Sequence, residues 1–140
     1  VIFGAGGDLT RRLLMPALYN LRLAGLLDED FKIIGVDARE MDDATFRAHL
    51  SEAMTHFVTE RRGEASAKLD QASWEWMEKR LSYLSGDFSN PETFAGLRTT
   101  LPEHGNVIFY CATAARFFDV LAEQLHKAGL LNEEGGGFRR

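Results

Sequence analysis

A short apolar run, Val1-Ile2-Phe3, passes directly into Gly4-Ala5-Gly6-Gly7-Asp8-Leu9-Thr10, and that turn opens a long amphipathic stretch. The order strand, glycines, helix leaves little choice of fold. An uninterrupted apolar strand is one buried on both faces, as in a parallel sheet covered by helices. The glycines let the backbone turn sharply and let an anionic group come close. The helix start brings free N–H groups and a partial positive charge. A dinucleotide pyrophosphate needs that combination.

The glycine spacing is not G-x-G-x-x-G, because Leu9 stands at the third glycine. It is G-x-x-G-x-x-small, with Gly4, Gly7 and Thr10. Both spacings demand close backbone approach and then tight packing of helix on strand. A plain tight turn would show the same glycines; the strand before and the helix after favour a nucleotide.

The rest of the chain alternates strand and helix. A helix is expected over residues 8–24, kinked by Pro16 and ended by Gly25, with Asp8 as its cap. Phe31 to Val36 reads as a second strand ending at Asp37. Asp42 or Asp43 caps a helix carrying Phe46, Leu50, Met54, Phe57 and Val58. Residues 60–72 are polar and read as a surface connection. Trp74, Met77, Leu81 and Leu84 follow helical spacing, with passage into a strand near residues 83–85. Pro91 suits the first position of another helix. Residues 106–112 read as a strand, and Ala115 to Ala128 as a helix ended by Gly129. The expected fold is a Rossmann-like, doubly wound parallel α/β sheet with helices on both faces.

Composition narrows the partners. The 140 residues are 45% hydrophobic and 26% charged, and the net charge of -5 argues against nucleic acid or an anionic membrane. No apolar run reaches the ~18 residues of a membrane span. The single cysteine, Cys111, suits a reducing, cytoplasmic setting. The four histidines show no metal-ligand spacing, and His49 and His56 read as exposed helix residues. The chain starts at a strand valine and stops as though another strand were beginning, so it reads as a piece of a longer protein.

Candidate ligand residues lie at strand ends. Arg11 and Arg12, in the first turns of the helix, either reach a phosphate or are solvated. Asp37 stands where an adenosine ribose is read; a carboxylate there accepts from both hydroxyls and repels a 2′-phosphate, whereas an arginine does the reverse. The chain has both, Asp37 and Arg39. Asp87 and Phe88 follow the third strand, at the level of an adenine ring. Ala112 and Thr113, small residues after the next strand, leave room along the sheet edge. No catalytic set is visible, and no tyrosine has a lysine four residues on, which disfavours a short-chain reductase.

These residues resemble the amino-terminal coenzyme domain of glucose-6-phosphate dehydrogenases. The resemblance rests on Val1 to Arg12, on Pro16-Ala17-Leu18-Tyr19-Asn20-Leu21, and on Gly25-Leu26-Leu27. It continues through Ile33 to Val36, Tyr83 to Phe88 and Phe109-Tyr110, in order across nearly the whole chain. It implies oxidation of glucose 6-phosphate at C1 to 6-phosphogluconolactone, a step of the pentose phosphate pathway, with hydride passing to NADP or NAD. It carries coenzyme binding onto Gly4, Ala5, Gly6, Gly7, Asp8, Leu9, Thr10 and Arg11, and onto Asp37, Arg39, Asp87 and Phe88. It also implies that residues 1–140 are a truncated coenzyme domain, inactive alone. The substrate-binding and catalytic residues, and the contacts of a homo-oligomer, would lie in a domain outside this chain.

Three positions depart from the family pattern. Leu13 replaces a lysine that in the family lies near the substrate. Ala114-Ala115 replaces Pro-Pro, so a trans bond is expected there. Arg39 falls one place later than the family arginine, behind Asp37. These departures leave a non-catalytic dinucleotide-binding module, or a paralogue acting on a related sugar phosphate, as the alternative.

Overall fold

The computed structural model describes residues 1–61, 68–133 and 136–140. Four strands form one parallel sheet: β1 (Ile2–Phe3), β2 (Ile33–Asp37), β3 (Leu81–Ser85) and β4 (Tyr110–Cys111), in the order β3-β2-β1-β4. Residues 138–140 run parallel beside 107–109, through the Val107–Arg139 bridge. β2 and β3 extend the sheet to one side of β1 and β4 extends it to the other. The crevice between β1 and β4, at their carboxyl ends, is therefore the topological switch point where open α/β sheets take ligands.

Helices cover both faces. α1 (Met15–Leu23), α2 (Asp43–Arg61) and α3 (Gln71–Glu78) pack on one; α4 (Pro91–Thr100) and α5 (Phe118–Lys127) pack on the other. Each face has its own core. Met15, Tyr19, Phe46, Leu50, Met54, Trp74 and Met77 belong to the first, and Phe94, Leu97, Leu121 and Leu125 to the second. Strand residues alternate between them: Ile2 and Ile33 face the first core, Phe3, Ile34 and Val36 the second. Gly35 makes room for the ring of Phe46, since a Cβ there would sit 2.7 Å from Phe46 Cζ and 2.7 Å from Ala5 Cβ. Truncating Phe46 to alanine would empty that contact at a cost of about 3–5 kcal/mol.

Helix ends follow the sequence signals where those are local. Asp42 caps α2 by accepting the Thr45 N–H at 2.8 Å, and Asp70 caps α3 through Ser73 N–H at 2.8 Å. Pro91 occupies the first turn of α4, behind an Asn90 cap. Gly25 (φ 69°) ends α1, with the Leu26 N–H on the Leu21 carbonyl at 3.0 Å.

Four expectations about element bounds change. Leu81 does not continue the helix of Trp74 and Met77: α3 ends at Glu78, and the strand expected near residues 83–85, with Leu84 in it, begins already at Leu81. The spacing of Leu81 fits a helix, but five residue pairs between β3 and β2, and burial against the first core, put it in the strand. The strand expected over 106–112 is regular only at Tyr110–Cys111. The helix expected from Ala115 begins with a 3-10 turn, Ala115–Phe117. The connection expected over 60–72 is shorter, because α2 runs to Arg61 and α3 begins at Gln71; residues 62–67 lie outside the described residues.

β3 is the outer strand, and α2 closes its free edge with side chains. The Tyr83 N–H donates to Asp43 Oδ1 at 2.7 Å, while Arg47 Nη2 and Nε donate to the Leu81 carbonyl at 2.6 and 3.0 Å. Asp43 and Arg47, four residues apart on α2, are themselves paired at 3.4 Å. They supply the acceptor and donor that another strand would have offered, and so blunt the edge.

Candidate functional site

The glycine turn hangs from the end of β1. Gly4 has φ 83°, and a Cβ on it would stand 2.4 Å from the Ala112 carbonyl oxygen, so only glycine fits. Its N–H donates to the Val36 carbonyl at 2.8 Å, and its own carbonyl accepts from Gly7 N–H at 3.0 Å and from Thr10 Oγ1 at 3.2 Å. Thr10 and Ala5 are wholly buried. The threonine at the third motif position thus ties helix to turn by a hydrogen bond as well as by close packing.

Asp8 is not the helix cap. It lies inside the first helical turn, and its carboxylate pairs with Arg12 at 3.3 Å and Arg11 at 3.7 Å. Helical geometry explains the difference, since residues three and four apart face each other. The turn begins with the Arg11 N–H on the Gly7 carbonyl at 3.4 Å, so the amides of Asp8 and Leu9 precede the first intrahelical donor. The disturbance expected at Pro16 takes the form of a π-helical turn, Thr10–Leu14, just before it. Proline lacks an N–H and crowds the carbonyl four residues back; a wider turn relieves both.

The corner between β2 and α2 closes over the turn. Asp37 Oδ2 accepts the Gly6 N–H at 2.9 Å, and Oδ1 lies 3.5 Å from the Arg39 N–H. Arg11, Arg39, His49 and Met41 line a small recess with Ala5 and Gly6. His49, expected as an exposed helix residue, is exposed on α2 and also borders this recess. Tyr83 and Ser85, missed from the sequence, reach the same corner from β3.

Across the sheet edge, Asp87 is exposed and its Oδ1 accepts from Ser89 Oγ at 2.6 Å and Ser89 N–H at 2.7 Å. Those two bonds hold its carboxyl below the usual carboxylate range. Phe88 is buried: its ring meets Phe3 and Phe117 edge-on at 5.7 and 5.6 Å, so its aromatic face is spent on the core. Ala112, also buried, donates its N–H to the Phe3 carbonyl at 2.8 Å. Together with Thr113 it forms the wall against which Gly4 packs. Among the described residues no cluster could hold a metal ion, and no helix is long and apolar enough to cross a membrane.

The family model "Glucose-6-phosphate dehydrogenase, NAD binding domain" matches residues 1–140. The chain belongs to the glucose-6-phosphate dehydrogenase family. It is 35% identical to a glucose-6-phosphate 1-dehydrogenase of Chlamydia muridarum over 97% of this chain and 27% of that protein. It is 33% identical to glucose-6-phosphate 1-dehydrogenase 2 of Mycobacterium tuberculosis over 100% of this chain and 27% of that protein. The crystal structure of the Mycobacterium avium glucose-6-phosphate 1-dehydrogenase superposes with a TM-score of 0.83 at 28% identity, covering 99% of this chain and 27% of that one. A glucose-6-phosphate dehydrogenase in complex with its substrate glucose-6-phosphate gives a TM-score of 0.77 at 26% identity, over 99% of this chain and 28% of that one. The chain therefore spans about a quarter of the length of the glucose-6-phosphate dehydrogenases it matches, and the family model identifies that quarter as a nicotinamide dinucleotide domain.

Two of the departures from the family pattern have visible consequences. Leu13 is 65% exposed, on the rim of a groove between the first helical turns and α2 that also includes Arg12, Glu52 and Phe57. Ala114–Ala115 is a trans bond, with Ala114 extended (ψ 144°) ahead of the 3-10 turn.

Proposed function

We propose that this chain is the coenzyme-binding part of an enzyme that oxidises glucose 6-phosphate at C1, with hydride passing to NADP or NAD. The lactone-forming chemistry and the sugar-phosphate pocket belong to a domain beyond residues 1–140, as does any contact between subunits. A reducing cytoplasm is the setting that the lone Cys111 fits.

One observation carries the reading. The glycine turn, the Asp37–Arg39 corner and the Ala112–Thr113 edge converge at the switch point of the sheet, where a Cβ on Gly4 would strike the Ala112 carbonyl. There Gly4 to Thr10, with the free amides of Asp8 and Leu9 and the charge of Arg11, would hold the pyrophosphate. Asp37 and Arg39 would read the adenosine ribose, and Asp87 with the main chain of Phe88 the adenine. Ala112 and Thr113 would let the nicotinamide end pass. Once bound, the nicotinamide ring supplies the hydride acceptor.

Titrating NAD+ and NADP+ against the full-length protein, and following coenzyme reduction with glucose 6-phosphate, tests the proposal. Asp37 leads us to expect NAD+ to bind at least comparably. A preference for NADP+ above ~100-fold, about 2.7 kcal/mol, would exclude a ribose-reading role for Asp37. Arg39→Ala should weaken NADP+ more than NAD+. No reduction of either coenzyme with glucose 6-phosphate would refute the assigned substrate.

A further inference from the structure

The corner that carries Asp37 and Arg39 is pinned from β3. Tyr83 Oη donates to the Arg39 carbonyl at 2.6 Å and lies 3.5 Å from the Asp37 carbonyl. Ser85 Oγ donates to the same Arg39 carbonyl at 3.3 Å, and the Gly86 N–H bonds the Asp37 carbonyl at 2.9 Å. The tyrosine is itself fixed at both ends. Its ring packs on Phe46 at 4.9 Å, and its backbone N–H is held by Asp43 at 2.7 Å. A hydroxyl delivered by so constrained a ring sets the place of the group it bonds.

Asp37 and Arg39 carry opposite charges two residues apart, so discrimination between a ribose and a ribose phosphate depends on where the main chain between them stands. We infer that Tyr83 is a positioning residue for coenzyme selection: its hydroxyl, backed by Ser85, fixes the Arg39 main chain. It thereby sets where the Asp37 carboxylate and the Arg39 side chain meet the adenosine ribose. This rests on the coenzyme reading proposed above. Burial, with the charge of Asp37, pushes the Tyr83 phenol up to about 12, so it remains a donor throughout the physiological range. Tyr83→Phe separates this role from core packing, because it keeps the ring on Phe46 and removes only the hydroxyl contacts with the Arg39 and Asp37 carbonyls.

The test uses the full-length protein with Tyr83→Phe, Ser85→Ala, the double variant and Arg39→Ala. Coenzyme affinities come from direct titration, and kcat and KM from steady-state kinetics with glucose 6-phosphate. Tyr83→Phe should weaken NADP+ by about fivefold and shift the NADP+/NAD+ ratio. The kcat at saturating coenzyme and the KM for glucose 6-phosphate should hold. The double variant should lose more than the product of the single losses, because each hydroxyl covers for the other. An unchanged NADP+/NAD+ ratio, or a rise in the glucose 6-phosphate KM to match, would overturn the inference. Ser85 is exposed, so Ser85→Ala in the same ratio measurement decides the matter should Tyr83→Phe lower the Tm. Arg39→Ala separates the two levels. If it changes neither coenzyme affinity, the coenzyme reading of the corner fails and the inference falls with it. If it weakens NADP+ while the hydroxyl variants do not, only the positioning role fails.

Discussion

The carboxylate of Asp37 accepts the backbone N–H of Gly6 at 2.9 Å, joining two loops 31 residues apart. The side chain proposed to read the ribose therefore also latches the glycine turn. A hydrogen bond to a charged acceptor is worth about 1.5–3 kcal/mol. Asp37→Ala should cost stability on that scale, read as a fall in Tm, and weaken both coenzymes. Asp37→Asn keeps an acceptor oxygen but drops the charge, so it should fold nearly as well and move preference toward NADP+. An NADP+/NAD+ ratio in Asp37→Asn equal to that of the parent protein would show that the charge is irrelevant.

Gly4 and Gly6 should respond very differently to alanine. At Gly4 the added carbon meets a carbonyl oxygen at 2.4 Å and must adopt φ 83°. Strain of that kind costs on the order of 1–3 kcal/mol before the clash is counted. At Gly6 the closest atom to the added carbon is Asp37 Oδ2 at 3.3 Å, with Asp37 Cγ and Met41 Cε at 3.7 Å. Gly4→Ala should unfold the turn or the domain, and Gly6→Ala should remain folded by circular dichroism. Comparable Tm values for the two would contradict the geometry.

Much of this fold was legible locally, and most of the site's wiring was not. The strand–turn–helix of residues 1–14, the periodicity of Phe46, Leu50, Met54 and Val58, the Asp42 cap and Pro91 all involve neighbours within a few residues. Leu81 misled because helical spacing is a local pattern, while its pairing with Ile33 of β2 joins residues 48 apart in the chain. Asp8 misled because its competition with Arg11 and Arg12 occurs within the helix it was expected to start. The bonds Asp37–Gly6 and Tyr83–Arg39 span 31 and 44 residues. Nothing near those residues in the chain announces them.

The aspartate caps imply an acid limb to stability. Hydrogen bonds from Thr45 hold Asp42, and those from Ser73 hold Asp70, below the usual carboxylate range in the folded protein. Their contribution is complete above the unfolded pKa of about 3.9 and is lost as pH falls through the lower folded values. Asp70→Asn keeps a capping oxygen that does not titrate there. The Tm of that variant should fall less steeply with acidification than that of the parent protein, and parallel curves would remove Asp70 from the account.

The edge cover of β3 makes a separate prediction. Arg47→Met removes both donors to the Leu81 carbonyl, and Asp43→Ala removes the acceptor for the Tyr83 N–H. Each should cost about 0.5–1.5 kcal/mol. The two together should raise the rate of aggregation, measured by light scattering, because an unpaired strand edge is a template for another chain. Aggregation no faster than in either single variant would show that the edge is protected by something else.

β1 is only two residues long, and they face opposite ways: Ile2 into one core, Phe3 into the other. The turn Gly4 to Thr10 leaves directly from that joint and is tied besides to β2 by the Gly4–Val36 and Gly6–Asp37 hydrogen bonds. Loosening of either helical layer would therefore be felt at the turn. A dinucleotide gripped there would act as a rivet through the sheet, drawing both layers into one cooperative melting unit.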